Sequence, residues 1–184
     1  MPNWCRNYVT ITHTDKEMID KIENAIKSEE GFMQSFYPMP EELVGTTSPS
    51  ESGLDWYYWR TSNWGTKWDV DIDEHERLGD TEIQLFFDSA WSPPSGFYQY
   101  IAEKFDYEID AEFNEEGVGF IGYWNTEEGE ESWEYYDIFE KHGDRWSEHI
   151  PERFHDMLEY NYESWKEWRE DEDMPDPKTD KSVS

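Results

Sequence analysis

The chain has 184 residues, and its 45 acidic and 15 basic side chains give a formal net charge of −30 at pH 7. This charge argues against direct binding to nucleic acid or to anionic lipid surfaces, which carry charge of the same sign. Low mean hydropathy with high charge is typical of disordered chains, but 11 Trp, 12 Tyr and 10 Phe can build a core. We therefore expect one folded domain with a short C-terminal extension.

Alternating β-branched residues predict a first strand at residues 7–12. Thr14, followed three residues later by Glu17, has the pattern of a capping box and predicts a helix at residues 15–28. A short strand is expected at residues 32–37, where two prolines end it.

The middle of the chain is expected to contain a loop insertion at about residues 41–62, because its first part is rich in Ser, Thr, Pro and Gly. The elements predicted after it are strands at residues 67–73 and 81–88, a second helix at 95–104, and a hairpin formed by 107–114 and 118–125.

A C-terminal amphipathic helix is predicted at residues 144–170, packed on or extending the domain at residues 1–143. Its apolar stripe consists of Phe154, Leu158, Tyr162 and Trp165. Residues 171–184 hold charges and prolines without periodicity, so we expect a disordered acidic tail. The order of strands and helices predicts an α+β fold, with one antiparallel sheet and helices packed on one face.

Two acidic rows are the main candidate site. Asp69, Asp71 and Asp73 alternate with apolar residues, and the same is true of Glu108, Asp110 and Glu112. Alternate residues of a strand share a face at a repeat of about 6.6–6.8 Å. Each row should therefore display three carboxylates, although an ordinary half-exposed strand also turns polar residues outward.

Five ordered motifs resemble the YubB-like, ferredoxin-like-domain family of plasmid and bacteriophage proteins. They are Met1-Pro2-Asn3-Trp4-Cys5-Arg6-Asn7, Tyr37-Pro38-Met39-Pro40-Glu41-Glu42-Leu43, Asn63-Trp64-Gly65-Thr66-Lys67-Trp68-Asp69, Ala90-Trp91-Ser92-Pro93-Pro94 and Gly119-Phe120-Ile121-Gly122. The resemblance covers about residues 1–125 and implies a ferredoxin-like fold, a mobile-element origin and the bacterial cytoplasm. This sequence departs from the family pattern at His13-Thr14, where a glycine is expected. The resemblance implies no activity.

A tryptophan-rich turn offers an alternative site for a small ligand or an enzymatic function. Its candidate pocket residues are Trp4, Asn63, Trp64, Lys67, Trp68 and Trp91, although the tryptophans of such a turn can also pack into the core while Lys67 reaches solvent.

We expect no catalytic residues, metal or cofactor. The single cysteine, Cys5, is expected to be a small buried side chain, and no histidine has metal-ligand spacing. Asp69, Asp71 and Asp73 resemble the start of a calcium loop, but Glu74 stands where that loop needs Gly. No stretch approaches the roughly 18 apolar residues that span a membrane.

The leading hypothesis is an accessory protein that inhibits a host nucleic-acid-binding protein or defence complex by acidic mimicry of a phosphate backbone. Glu127, Glu128, Glu130 and Glu131 are expected to strengthen the field of the two acidic rows. A structural or homo-oligomeric accessory protein that uses the C-terminal helix as its interface is the other alternative.

Overall fold

The computed structural model describes residues 3–51 and 53–173, the last four as backbone only. Its strands are β1 (Trp4–Thr12), β2 (Glu74–Arg77), β3 (Glu82–Ala90), β4 (Glu108–Glu115), β5 (Phe120–Asn125) and β6 (Gly129–Glu134). Its helices are α1 (Lys16–Ile26), α2 (Trp56–Asn63), α3 (Ser95–Phe105), α4 (Tyr135–His142) and α5 (His155–Asp173), with short 3₁₀ turns at Glu41–Leu43, Gly143–Glu148 and Glu152–Phe154. The chain divides into two compact units between Trp133 and Glu134.

The strands of the first unit form one sheet in the order β2-β3-β1-β4-β5-β6. β1 is antiparallel to both β3 and β4, β2 to β3, and β4 to β5. Along the chain, β1, α1, β2, β3, α3 and β4 follow the β-α-β-β-α-β pattern of the ferredoxin-like fold. The predicted α+β fold is confirmed, and β5 and β6 extend its sheet beyond β4.

Helices α1 and α3 pack on one face of this sheet. Val9 and Ile11 of β1, Ile22 of α1 and Ile101 of α3 are all at most 3 % exposed and belong to the same core. The core also contains edge-to-face ring contacts: the ring of Phe97 packs against Phe32 at 5.7 Å and against Phe36 at 6.1 Å between centroids. Because aliphatic residues are scarce, aromatic rings supply much of the apolar surface that this fold buries.

Helix α1 begins one residue later than the capping-box pattern indicates. Asp15, not Thr14, is the N-cap, and its carboxylate accepts a hydrogen bond of 2.9 Å from the Glu17 amide. A carboxylate at this position also interacts favourably with the helix dipole, which explains why Asp15 takes the role.

Two predicted strands are wrong. Residues 32–37 form turns, and residues 67–73 lack strand pairing, so that the edge strand β2 begins only at Glu74. Both irregular segments nevertheless bury apolar side chains: Met33 is fully buried and Val70 is 4 % exposed. Burial alone does not distinguish a strand from a well-packed turn.

The predicted loop at residues 41–62 contains α2. Asp55 starts this helix, because its carboxylate accepts hydrogen bonds from the amides of Tyr58 at 2.9 Å and Ser50 at 3.0 Å. These bonds hold the pKa of Asp55 below its usual value.

The second unit has its own aromatic core. Phe154, Leu158 and Tyr162, three members of the predicted stripe, are at most 6 % exposed, and Phe139 and Trp146 pack edge to face at 5.7 Å. The long helix α5 starts at His155, because two short 3₁₀ turns occupy the first part of the predicted helix at residues 144–170. The expected domain boundary was residue 143, ten positions after the observed one. Of the expected tail, residues 174–184 lie outside the described residues.

No helix within the described ranges combines the length and the apolar character that crossing a bilayer requires.

Candidate protein-docking face

The candidate site is the side of the sheet opposite to α1 and α3, which we call the helix-free side because neither of these two helices packs on it. The alternation of each strand determines which residues lie on this side. In β1 the residues Cys5, Asn7, Val9 and Ile11 are buried toward the helices. Because neighbouring residues of a strand point to opposite faces, Arg6, Tyr8 and the other intervening residues lie on the helix-free side.

The second acidic row has the predicted geometry. Glu108, Asp110 and Glu112 lie on the helix-free side of β4, opposite Thr12, Thr10 and Tyr8 of β1 in the antiparallel register. Glu108 and Asp110 are exposed and Glu112 is partly exposed, whereas the intervening Ile109 and Ala111 are buried.

The first acidic row is not a strand, and the carboxylate of Asp69 is already bound by backbone amides. Its carboxylate accepts hydrogen bonds from the amides of Met33 at 2.8 Å, Gln34 at 2.9 Å and Val70 at 2.8 Å. Burial is the main cause that raises the pKa of Asp69, and these hydrogen bonds oppose it. Asp69 therefore has a structural role, fastening the 31–37 turn to the segment before β2.

Asp71 and Asp73 remain exposed, in the irregular segment that leads into β2. The amide of Asp73 donates a hydrogen bond of 3.0 Å to the carbonyl of Phe86 in β3. This bond fixes Asp73 at the edge of the sheet, next to the helix-free side.

Sequence reasoning missed four acidic residues of this side. The strand register places Glu74 opposite Phe86, Glu76 opposite Gln84, Glu82 opposite Thr12, and Asp88 opposite Arg6. We use the name acidic face for the helix-free side with its carboxylates, which are Glu74, Glu76, Glu82, Asp88, Glu108, Asp110 and Glu112. The signal for Glu82 and Asp88 was available, because they alternate with the apolar residues of a correctly predicted strand.

The centre of the acidic face is aromatic. Tyr8 and Phe86 lie opposite each other in β1 and β3, with ring centroids 4.9 Å apart. Tyr123 of β5 continues the same row beyond Glu112 and donates a hydrogen bond of 2.8 Å to Glu131. The face therefore has an apolar middle within a border of carboxylates, which is the usual layout of a protein interface.

Two basic side chains, Lys16 and Arg77, form ion pairs on the side of the sheet where α1 packs. Arg77 points toward α1, where its guanidinium contacts Asp20 and Glu23 at 2.6 Å each, and Lys16 contacts Asp20 at 2.8 Å. The hydrogen bonds from Lys16 and Arg77 lower the pKa of Asp20. The helix side thus neutralises part of its own acidity.

Arg6 is the one cation among the helix-free positions of β1–β5. Its guanidinium is 3.4 Å from Glu116, and both side chains are more than half exposed. Partial burial is the main cause that raises the pKa of Asp88 opposite Arg6; Arg6 opposes this rise and Asp73 adds to it. A single solvent-screened cation leaves the acidic face strongly negative.

The four glutamates after β5 do not share one face. Glu127 and Glu128 lie in the turn, where both amides bond to the side-chain oxygen of Asn125. Glu131 reaches Tyr123 on the acidic face, whereas Glu130 lines a cavity of about 510 Å³ beside α3. Only part of this group can add to the field of the acidic face.

The predicted pocket residues separate into two groups. Trp64 is fully buried, and its Nε1 donates to the carbonyl of Tyr37 at 2.9 Å. Asn63 accepts a hydrogen bond of 2.7 Å from the Tyr37 hydroxyl. Trp64 is therefore packed into the core, which is the alternative that the sequence left open for this turn, and Asn63 is held beside it by Tyr37. The other members, Trp4, Lys67, Trp68 and Trp91, form a separate cluster at the surface.

Cys5 is fully buried, as expected, and its burial raises the pKa of its thiol. Within residues 3–51 and 53–173, no group of three or more His, Cys, Asp or Glu side chains has an arrangement that could hold a metal ion.

Comparison with known proteins adds a family-level similarity. Residues 67–149 match a family model described as a ferredoxin-like domain in Api92-like protein. This match supports the expected ferredoxin-like domain. Among solved structures, protein Api92 of Yersinia pseudotuberculosis is similar, with 12 % sequence identity and a TM-score of 0.47, covering 73 % of this chain and 98 % of the Api92 chain. The comparison with curated proteins gives no match.

Proposed function

We propose that this chain is a phage or plasmid accessory protein that inhibits a host nucleic-acid-binding protein. The acidic face would occupy the basic surface on which that host protein holds DNA or RNA. The observation that carries the proposal is the segregation of charge. In the described strands β1–β5, the helix-free positions hold seven carboxylates and one cation, Arg6, whereas the ion pairs of Lys16 and Arg77 lie on the helix side.

The spacing of the acidic face suits phosphate mimicry. Carboxylates two residues apart along β4 repeat at about 6.6–6.8 Å, and neighbouring strands are about 4.7–4.9 Å apart. Phosphates of one DNA strand advance 3.4 Å each along the axis, and they lie farther apart than this because they also wind around it. A basic groove built for phosphates therefore meets negative charge at comparable intervals on this face.

The field of the face also favours rapid capture of a basic partner. Like-signed carboxylates on one surface accelerate association with an oppositely charged protein, and added salt slows it. A YubB-like, mobile-element origin and a place in the bacterial cytoplasm belong to this proposal, since a host-defence nuclease or restriction complex would be a suitable basic target there.

A displacement experiment tests the proposal. Bacterial lysate is bound to DNA-cellulose at about 0.15 M salt, where the Debye length is about 8 Å, and the column is washed with the purified chain. We expect the wild type to elute DNA-binding proteins. The triple variant with Glu108→Lys, Asp110→Lys and Glu112→Lys should elute none of them.

The matched control reverses Glu159, Glu163 and Glu167, which are exposed residues on α5 in the second unit. It changes the net charge by the same amount and should elute the same proteins as the wild type. If both triple variants lose displacement equally, net charge rather than the acidic face is responsible. If the β4 variant displaces as well as the wild type, the proposal is wrong.

A further inference from the structure

Three tryptophans form an exposed cluster next to the acidic face. Trp4 opens β1 and lies opposite Ala90, Trp68 lies in the segment before β2, and Trp91 follows β3. The Trp4 and Trp68 centroids are 6.1 Å apart, and those of Trp68 and Trp91 are 6.4 Å apart in a stacked arrangement. Trp4 is 48 % exposed and Trp91 42 % exposed. We call this cluster the indole shelf.

Trp91 has an unusual backbone conformation. Its φ of 68° lies in the left-handed region, which bulky residues rarely adopt. The amide of Trp91 is held by a hydrogen bond of 2.9 Å to the carbonyl of Asn3. In this conformation the Trp91 side chain is 42 % exposed.

The rings of the shelf already hold one cation. The ammonium of Lys67 lies 4.7 Å from the centroid of Trp68 and 4.9 Å from that of Trp91, with Tyr57 at 5.7 Å and Trp56 at 6.0 Å. These distances are within the range of cation–π attraction, about 6 Å. The side chains around Lys67 show that this surface can bind positive charge by means of its rings.

A cavity of about 330 Å³ adjoins two of the three tryptophans of the shelf. Its walls are Trp4, Trp68 and Ala90, and its polar lining consists of Asp69, Asp71, Asp73 and Asp88. One oxygen of Asp88, Oδ1, is buried and has no hydrogen-bond donor among the described residues. The volume is at the small end of ligand sites, a size suited to a side chain.

An arginine side chain matches this chemistry better than any other natural group. A guanidinium is planar and stacks on an indole, and its N–H groups can at the same time donate to carboxylates at its edge. A lysine ammonium provides the charge without the plane. We propose that the cavity beside Trp4 and Trp68 accepts an arginine side chain of the basic partner, an inference that rests on the proposed function and assigns a specific contact to it.

Two labelled peptides test this inference by fluorescence anisotropy, one of nine arginines and one of nine lysines. The wild type should bind the arginine peptide about 2- to 5-fold more tightly, as expected for one exposed cation–π contact. Trp4→Leu keeps an apolar side chain but removes the ring, so it should abolish this preference. It should leave salt-sensitive binding of both peptides.

Trp168→Leu is the matched control, because Trp168 is a 53 % exposed indole in the second unit, and it should keep the preference. Asp73→Asn is a second test at an exposed position outside the strands, and it should also reduce the preference. Melting temperatures establish that each variant is folded. A preference that survives both Trp4→Leu and Asp73→Asn overturns the inference.

The two proposals can fail separately. Equal, salt-sensitive binding of both peptides by the wild type would overturn the arginine site while the acidic face still displaced proteins from DNA. An arginine preference that Trp4→Leu removes, in a chain that displaces nothing from DNA, would support the arginine site and contradict the proposed function.

Discussion

Replacing Asp69 by alanine should destabilise the first unit strongly, whereas the same replacement of its exposed neighbours Asp71 and Asp73 should have little effect. The substitution removes the acceptor for the Met33 and Gln34 amides, which lie 2.8 and 2.9 Å from the carboxylate. A buried donor left without a partner costs about 1–3 kcal/mol. Relief of the buried charge offsets part of this, so we expect a loss of about 2–4 kcal/mol in the free energy of unfolding.

Urea denaturation gives the change in stability, and hydrogen exchange of the Met33 and Gln34 amides locates it. Both amides should exchange faster in Asp69→Ala, whereas Asp71→Ala, an exposed control two residues away, should stay within about 0.5 kcal/mol of the wild type. Asp69→Asn should be intermediate, because its oxygen can still accept from Met33 while its NH₂ faces the Gln34 amide. If Asp69→Ala and Asp71→Ala have equal stabilities, the structural role of Asp69 is refuted.

The remaining predictions concern the same turn and the edge of the sheet. Burial raises the pKa of Asp69 in the folded state. A carboxyl group with a raised folded-state pKa favours the folded state fully at low pH, and this stabilisation is lost as pH rises through the folded-state pKa. The stability of the wild type relative to Asp69→Asn, measured by urea titrations, should therefore fall as pH rises above the ordinary aspartate pKa of about 4. Gly31→Ala and Gly45→Ala should each destabilise by more than about 1 kcal/mol, because both positions have positive φ. The loss should be larger for Gly31→Ala, since only there would the new Cβ clash with the Asp69 carboxylate. Equal losses would contradict this. Gly122→Ala would place a Cβ 2.4 Å from the carbonyl of Glu131, so amide protection should fall in β5 and β6, and unchanged exchange there would show that this close approach is relaxed.

The acidic row of β4 could be predicted from the sequence because its geometry is local. Ile109, Ala111 and Phe113 alternate with acids, and once the apolar set is buried the strand repeat places every acid on the other face. Glu82 and Asp88 of β3 follow the same rule. The alternation of β3 is therefore sufficient to place both residues on this face.

The role of Asp69 could not be predicted, because its partners are about 35 residues away in sequence. In isolation its alternation with Val70 and Ile72 is that of a strand. Hydrogen bonds to a distant turn override this local preference. Trp64 has the same difficulty: whether a tryptophan next to Gly65 lines a pocket or fills a core depends on Tyr37, which accepts its indole hydrogen bond.

Helix α2 was missed for a different reason. Its sequence is aromatic around its whole circumference, and none of its residues is buried, so it has no apolar stripe that would indicate a helix. Its only clear signal is Asp55 in the N-cap position. A cap followed by no periodic pattern is weak evidence for a helix, and the Ser- and Pro-rich residues before it favour a loop.

Backbone amide NMR of the ¹⁵N-labelled chain, mixed with a protein that it displaces from DNA, is the most direct test of the acidic face as the docking surface. We expect the shift changes to concentrate at Tyr8, Phe86, Asp110 and Glu112, on the helix-free side of β1, β3 and β4. The outward positions of α1, such as Lys16, should not change. Changes confined to α1 and α3, or to the second unit, would contradict the account.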